Sequence, residues 1–165
     1  MRHYLFLLLL TCLFACSDAD RRSIDLSDQV VSEPEDGVGH YVYALSLPAA
    51  VAAGDDFEVQ MEWRTVGSVD PNARYTMNAI LLGPDRKVYS VPAGANTVGE
   101  VHLANWLSYD FAVPADFTPG DYVFGIKLTD EVGDGGDVPL GFLPEMRMAD
   151  GFFRLADIAV TAPTE

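Results

Sequence analysis

The residues whose types and spacing could do chemistry fall in two places. The first is an acidic, glycine-rich run at 129–139, where Asp130, Glu131, Asp134 and Asp137 crowd around Gly133, Gly135 and Gly136. Hard divalent cations take several oxygen ligands on a pliable backbone, so calcium is the cofactor this run could hold. Its spacing is not that of the twelve-residue calcium loop, which ends on Glu, and a solvated acidic hairpin loop reads the same way. The second is Trp106, which shares one strand parity with His102, Ser108 and Asp110. An indole on a polar strand face is a platform on which the C–H face of a sugar can stack while neighbouring polar groups take the hydroxyls. The competing expectation is structural: a bulge near Asn105 turns Trp106 inward, or Phe142 and Leu143 cover it.

Nucleophilic or acid–base catalysis finds less support. No G-x-S-x-G elbow, H-E-x-x-H or C-x-x-C occurs. The many carboxylates single out no glycosidase pair. The expectation is that the chain is not an enzyme, with no catalytic residue to name and calcium as the only cofactor in question.

Charge and cysteine usage narrow the partners. The chain of 165 residues carries 10 basic and 25 acidic side chains, a net charge of −15. That field repels phosphate backbones, so nucleic acid is excluded as a partner. A basic start, Arg2 and His3, leads into an apolar run from Tyr4 to Leu10, and Cys12 and Cys16 follow. This is the pattern of a secretory signal, too short for a stable membrane span. Residues 1–15 hold one basic and no acidic side chain, so the remainder carries 9 against 25, a net −16. It also has no cysteine beyond Cys16, hence no internal disulfide.

These groups need elements to position them. Residues 16–39 are rich in Asp, Ser and Glu without a sustained period, and read as a flexible acidic tether. From His40 the period is two. Phe57, Val59, Met61, Trp63 and Thr65 alternate with Glu58, Gln60, Glu62 and Arg64, a half-buried strand with Trp63 in the core. Further strands follow at 74–82, 88–91, 101–113, 122–128 and 152–160, with turns at Asp70-Pro71-Asn72 and Thr118-Pro119-Gly120-Asp121. About seven to nine short strands without a convincing helix predict an all-β, antiparallel sandwich over 40–160, followed by a tail at 161–165. Tyr122, after Pro-Gly-Asp, is placed to make a corner hydrogen bond to upstream backbone.

Two resemblances add to this. Leu13-Phe14-Ala15-Cys16 resembles the lipobox of bacterial lipoproteins, which implies cleavage after Ala15 and lipidation of Cys16. Ser17 after it resembles lipoproteins sorted to the outer membrane of Gram-negative bacteria, facing the periplasm or the cell surface. The runs Met61 to Gly67, Phe117 to Phe124 and Asp150 to Val160 together resemble the Ig-like β-sandwich domains that close many bacterial glycoside-hydrolase-like proteins and proteins of unknown function. That resemblance implies an accessory domain, since fold does not fix activity. The function expected is a non-catalytic, lipid-anchored envelope binding module, with carbohydrate as the candidate ligand. The alternatives are a scaffold lipoprotein of an envelope protein complex and, last, an enzyme.

Overall fold

A computed structural model describes residues 20–31, 39–65, 73–93, 105–132 and 135–163. The chain is an all-β, Ig-like antiparallel sandwich of two facing sheets. Its strands are β1 (Arg21–Asp25), β2 (His40–Pro48), β3 (Ala50–Ala52), β4 (Asp56–Thr65), β5 (Tyr75–Leu82), β6 (Arg86–Pro92), β7 (Asn105–Ala112), β8 (Gly120–Asp130), β9 (Asp137–Val138) and β10 (Phe153–Thr161). One sheet has the order β1-β2-β4-β7. The other runs β3-β10-β8-β5-β6, with β9 added to β8. The short β3 pairs with β10 in parallel, the exception to the antiparallel rule, because residue 49 carries the chain from one sheet to the other.

The strand periodicity sets the core. Phe57, Val59, Met61 and Trp63 of β4 face inward, as do Tyr109 and Phe111 of β7. Opposite them stand Tyr122, Phe124, Ile126 and Leu128 of β8 with Ile158 and Val160 of β10. Phe57, Phe111 and Phe124 meet across the sheets with ring centroids 5.5–6.3 Å apart. Tyr89 of β6 donates its hydroxyl to the Ala112 carbonyl at 2.8 Å, stapling the two sheets along one side. The expected tyrosine corner forms: the Tyr122 hydroxyl lies 2.8 Å from the Thr118 carbonyl and 3.1 Å from Asp85 Oδ2.

One expectation is corrected. The stretch 16–39 does not lie wholly outside the sandwich. Arg21–Asp25 pairs with β2 over five residues, from Arg21 opposite Pro48 to Asp25 opposite Ala44. Leu26 and Val30, on either side of a 3₁₀ turn at Ser27–Gln29, are buried in the core. Composition hid this because an edge strand needs only one row of backbone hydrogen bonds and can be polar. Beside the about seven to nine strands expected, ten are present among the described residues, β3 and β9 being short pieces of three and two residues with little periodicity of their own.

The stretch from Pro139 to Phe153 has no long strand. It crosses between the sheets, forming bridges Val30 to Phe142, His40 to Leu140 and Arg147 to Phe153. Within it lies a 3₁₀ turn at Pro144–Met146. Gly141 lies against the buried Tyr41 ring: a Cβ there would stand 1.9 Å from Tyr41 Cε1. Only a glycine fits that contact.

Candidate functional site

The four-stranded sheet turns its outer face to water, and β4 and β7 define what that face carries. Their register pairs Trp106 with Glu62, Ser108 with Gln60, and Asp110 with Glu58. Residues directly opposite on antiparallel strands point the same way, with Cβ atoms about 5 Å apart. Trp106, Ser108 and Asp110 are therefore neighbours of a row of polar β4 side chains. On the far side of β4, Ala44 stands opposite Glu62 and Ser46 opposite Gln60.

The ladder between β4 and β7 runs without a register shift from Asp56 opposite Ala112 to Trp63 opposite Asn105. The parity from Phe111 back to Trp106 is thus preserved, and Trp106 is 49% exposed. Trp63, of the opposite parity on β4, is 0% exposed. Phe142 and Leu143 do not cover Trp106. They pack at the other side of the sheet, where Phe142 bridges Val30 and the Leu143 amide donates to the Gln29 carbonyl.

The polar row beside Trp106 is held by its own contacts. Arg64 donates to Glu62 Oε1 from Nε at 2.9 Å and from a terminal nitrogen at 2.7 Å, and its guanidinium lies 4.1 Å over the Tyr43 ring. Gln60 donates to Glu58 at 3.1 Å. Arg21 of β1 reaches Ser46 Oγ at 3.2 Å and Glu58 at 3.2 Å. The Ser108 hydroxyl first, then Gln60 and the charge of Arg21, hold the Glu58 carboxyl below the usual carboxylate range. The result is an exposed indole at one edge of a sheet face, followed inward by carboxylate acceptors and guanidinium donors that contact one another.

The other predicted site residues are not gathered in one place. Asp130 Oδ1 accepts the Val132 amide at 2.9 Å. Glu131 accepts the Thr76 hydroxyl. Asp137 pairs with Lys127 at 3.2 Å. The three diverge because β8 ends at Asp130 while Asp137 belongs to β9, opposite Thr129. Among the described residues, no three His, Cys, Asp or Glu side chains are grouped so as to hold a metal ion. Asp134, His102 and the proposed lipid site Cys16 lie outside the described residues. No helix among the described residues is long and apolar enough to cross a membrane.

His40 is only 3% exposed. Its Nδ1 lies 3.1 Å from Thr65 Oγ1, and its ring meets Tyr75 edge-on at 5.1 Å. Burial lowers its pKa to about 4, so at neutral pH it is an uncharged core side chain.

No family model matches the chain, and no curated protein matches it in sequence. Among solved structures it is similar to a Niemann-Pick type C2 protein from Japanese carpenter ant, at TM-score 0.48 and 8% identity over 79% of this chain and 99% of that one. It is similar to a CARDB domain from Pyrococcus furiosus, in complex with di-metal ions, at TM-score 0.37 and 10% identity over 76% and 93%. A third likeness is to a Pseudomonas fluorescens alkylpurine DNA glycosylase bound to DNA with an abasic site analog, at TM-score 0.40 and 14% identity over 77% of this chain and 32% of that one. At these identities the likeness concerns the fold alone.

Proposed function

We propose that this chain is a non-catalytic binding module that recognises carbohydrate on the outer face of β4 and β7. It is carried to the outer envelope of a Gram-negative bacterium by a lipid on Cys16. The observation that carries the reading is the exposed Trp106 set directly opposite the Glu62–Arg64 pair. A pyranose laid on the indole buries its C–H face, and its hydroxyls then meet acceptors (Glu62, Asp110) and donors (Arg64, Gln60) on the same plane. Trp106, Ser108 and Asp110 are all exposed along it, which suits a polymer chain lying on the face.

The chemistry of the face supports binding over hydrolysis. A glycosidase needs one carboxyl held protonated beside a second that is ionised. Glu58, opposite Asp110, is pushed towards the ionised form by Ser108, Gln60 and Arg21, which disfavours it as the protonated acid of such a pair. Glu58 and Glu62 stand four residues apart on one strand, about 13 Å, beyond the span of either glycosidase geometry.

The test is affinity electrophoresis of the full-length chain across a panel of neutral and acidic polysaccharides, with and without calcium. Retardation on one glycan that is lost in Trp106→Ala, with the fold unchanged by circular dichroism, is the expected result. Absence of retardation on every glycan overturns the reading in favour of a scaffold lipoprotein.

A further inference from the structure

A second candidate site lies away from the β4–β7 face and rests on none of its residues. Between β8, β9 and the crossover stretch is a cleft of about 320 Å³. That is the lower end of the range of small-molecule sites. Phe142 and Phe153 form its apolar wall, with ring centroids 5.1 Å apart and planes tilted by 37°. Pro144 lies beside them, and Lys127 and Arg147 bring two cations to the rim.

The two cations differ. Lys127 is already neutralised by Asp137 at 3.2 Å and rests 5.3 Å over the Phe152 ring. Arg147 is exposed, and its guanidinium has neither an ion pair nor a hydrogen bond among the described residues. The other described arginines each hold a carboxylate, a hydroxyl or a carbonyl. In a chain with 25 acidic and 10 basic side chains, a partner for one more arginine is easily supplied. Glu145, two residues away, does not pair with it. Asp150, three residues on, pairs with Arg86 instead.

The backbone keeps the rim in this shape. Asp150 and Gly151 both have positive φ, 61° and 79°. A Cβ on Gly151 would stand 2.8 Å from Asp137 Oδ2. A glycine there lets Asp137 stay close enough to occupy Lys127, leaving Arg147 as the group with an open valence.

We infer that this cleft binds an organic carboxylate with an aromatic or branched apolar body, the carboxylate on Arg147 and the body against Phe142 and Phe153. A planar guanidinium fork matches a carboxylate through two parallel hydrogen bonds. The rim carries one net positive charge within a strongly negative chain, so a bare inorganic anion gains little over the long-range repulsion. The apolar wall has to contribute, and a ligand needs both halves.

Phenylacetate is the probe, titrated into the ¹⁵N-labelled full-length chain and followed by amide chemical shifts. Saturable shifts at Val138, Gly151 and Phe153, with a Kd on the order of 1 mM, are expected. Arg147→Gln, at an exposed position, should weaken binding about tenfold. Phe153→Leu should weaken it while leaving the dependence on charge in place. 2-Phenylethanol and inorganic phosphate, each carrying one half of the ligand, should both bind more weakly than phenylacetate. Equal binding by either half-probe, unchanged binding in Arg147→Gln, or shifts confined to residues outside the cleft would overturn the assignment.

Discussion

Acid should weaken this fold well before its carboxylates begin to titrate, and His40 is the reason. The side chain is packed between Thr65 and Tyr75, and its backbone carbonyl accepts the Gly141 amide at 2.9 Å. Protonation would place a cation where β2, β4 and the crossover stretch converge. Burial takes its pKa from 6.5 down to about 4, so the folded chain binds this proton less readily than the unfolded chain. Where the unfolded state binds more protons, stability rises with pH. The contribution is therefore complete above about pH 6.5, falls as pH drops below that value, and is exhausted near pH 4. Its full span is about 3 kcal/mol, at about 1.4 kcal/mol per pKa unit. Roughly 2 kcal/mol of that is already lost by pH 5.

A loss of that size is measurable against a total stability of about 5–15 kcal/mol. The assay is urea unfolding at pH 7.5, 6.5, 5.5 and 5.0, a window above the range where Asp and Glu protonate. The wild-type midpoint should fall across it. In His40→Gln the chain is less stable at every pH, and the midpoint should lie flat over the same window. The slope rather than the absolute stability is the readout, so a destabilised variant remains informative. A flat wild-type profile, or a His40 titration near 6.5 by NMR, would refute the reasoning.

Three further outcomes follow from particular contacts. Gly141→Ala forces a methyl group into the buried Tyr41 ring and should cost about 2–3 kcal/mol, read as a lower urea midpoint with unchanged slope. Tyr122→Phe removes the hydroxyl that reaches the Thr118 carbonyl and Asp85, and should cost about 1 kcal/mol by the same measure. Removing residues 1–31 strips β1 and the buried Leu26 and Val30, worth roughly 1.5–3 kcal/mol each, and should lower the thermal midpoint.

What could be read from the sequence is what water imposes on a strand. β4 alternates because one face is core and the other solvent, so its period and its buried Trp63 were legible, whereas the parity of Trp106 on its neighbour left open an inward bulge that only the unshifted β4–β7 register excludes. Tyr122 was legible because Pro-Gly-Asp announces the turn that its hydroxyl closes. β1 was not, since Arg21–Asp25 is polar but for Ile24 and its place depends on Ser46 and Glu58, more than twenty residues away. The acidic run is hard to read for the opposite reason. Asp130, Glu131 and Asp137 are close in sequence, but the turn into β9 sends them to three different partners. The cleft had no signal at all: Phe142 and Phe153 meet only because the crossover folds back on itself, and an arginine without a partner is visible only in three dimensions.

Single exposed apolar residues are ordinary on protein surfaces, so exposure alone does not make Trp106 a binding residue. The comparison within this molecule is sharper. Leu82, Val88 and Val132 are also large, apolar and exposed. Leu82 and Val88 are aliphatic side chains in the β5–β6 hairpin, and Val132 lies in the loop after β8. None offers a flat ring. Trp106 differs in its ring and in its neighbours: the residue opposite it is a carboxylate side chain held by two hydrogen bonds from Arg64, itself stacked on Tyr43. Side chains held in one geometry lose less entropy when a ligand arrives. On the reading proposed above, that order lowers the cost of fixing a sugar's hydroxyl groups.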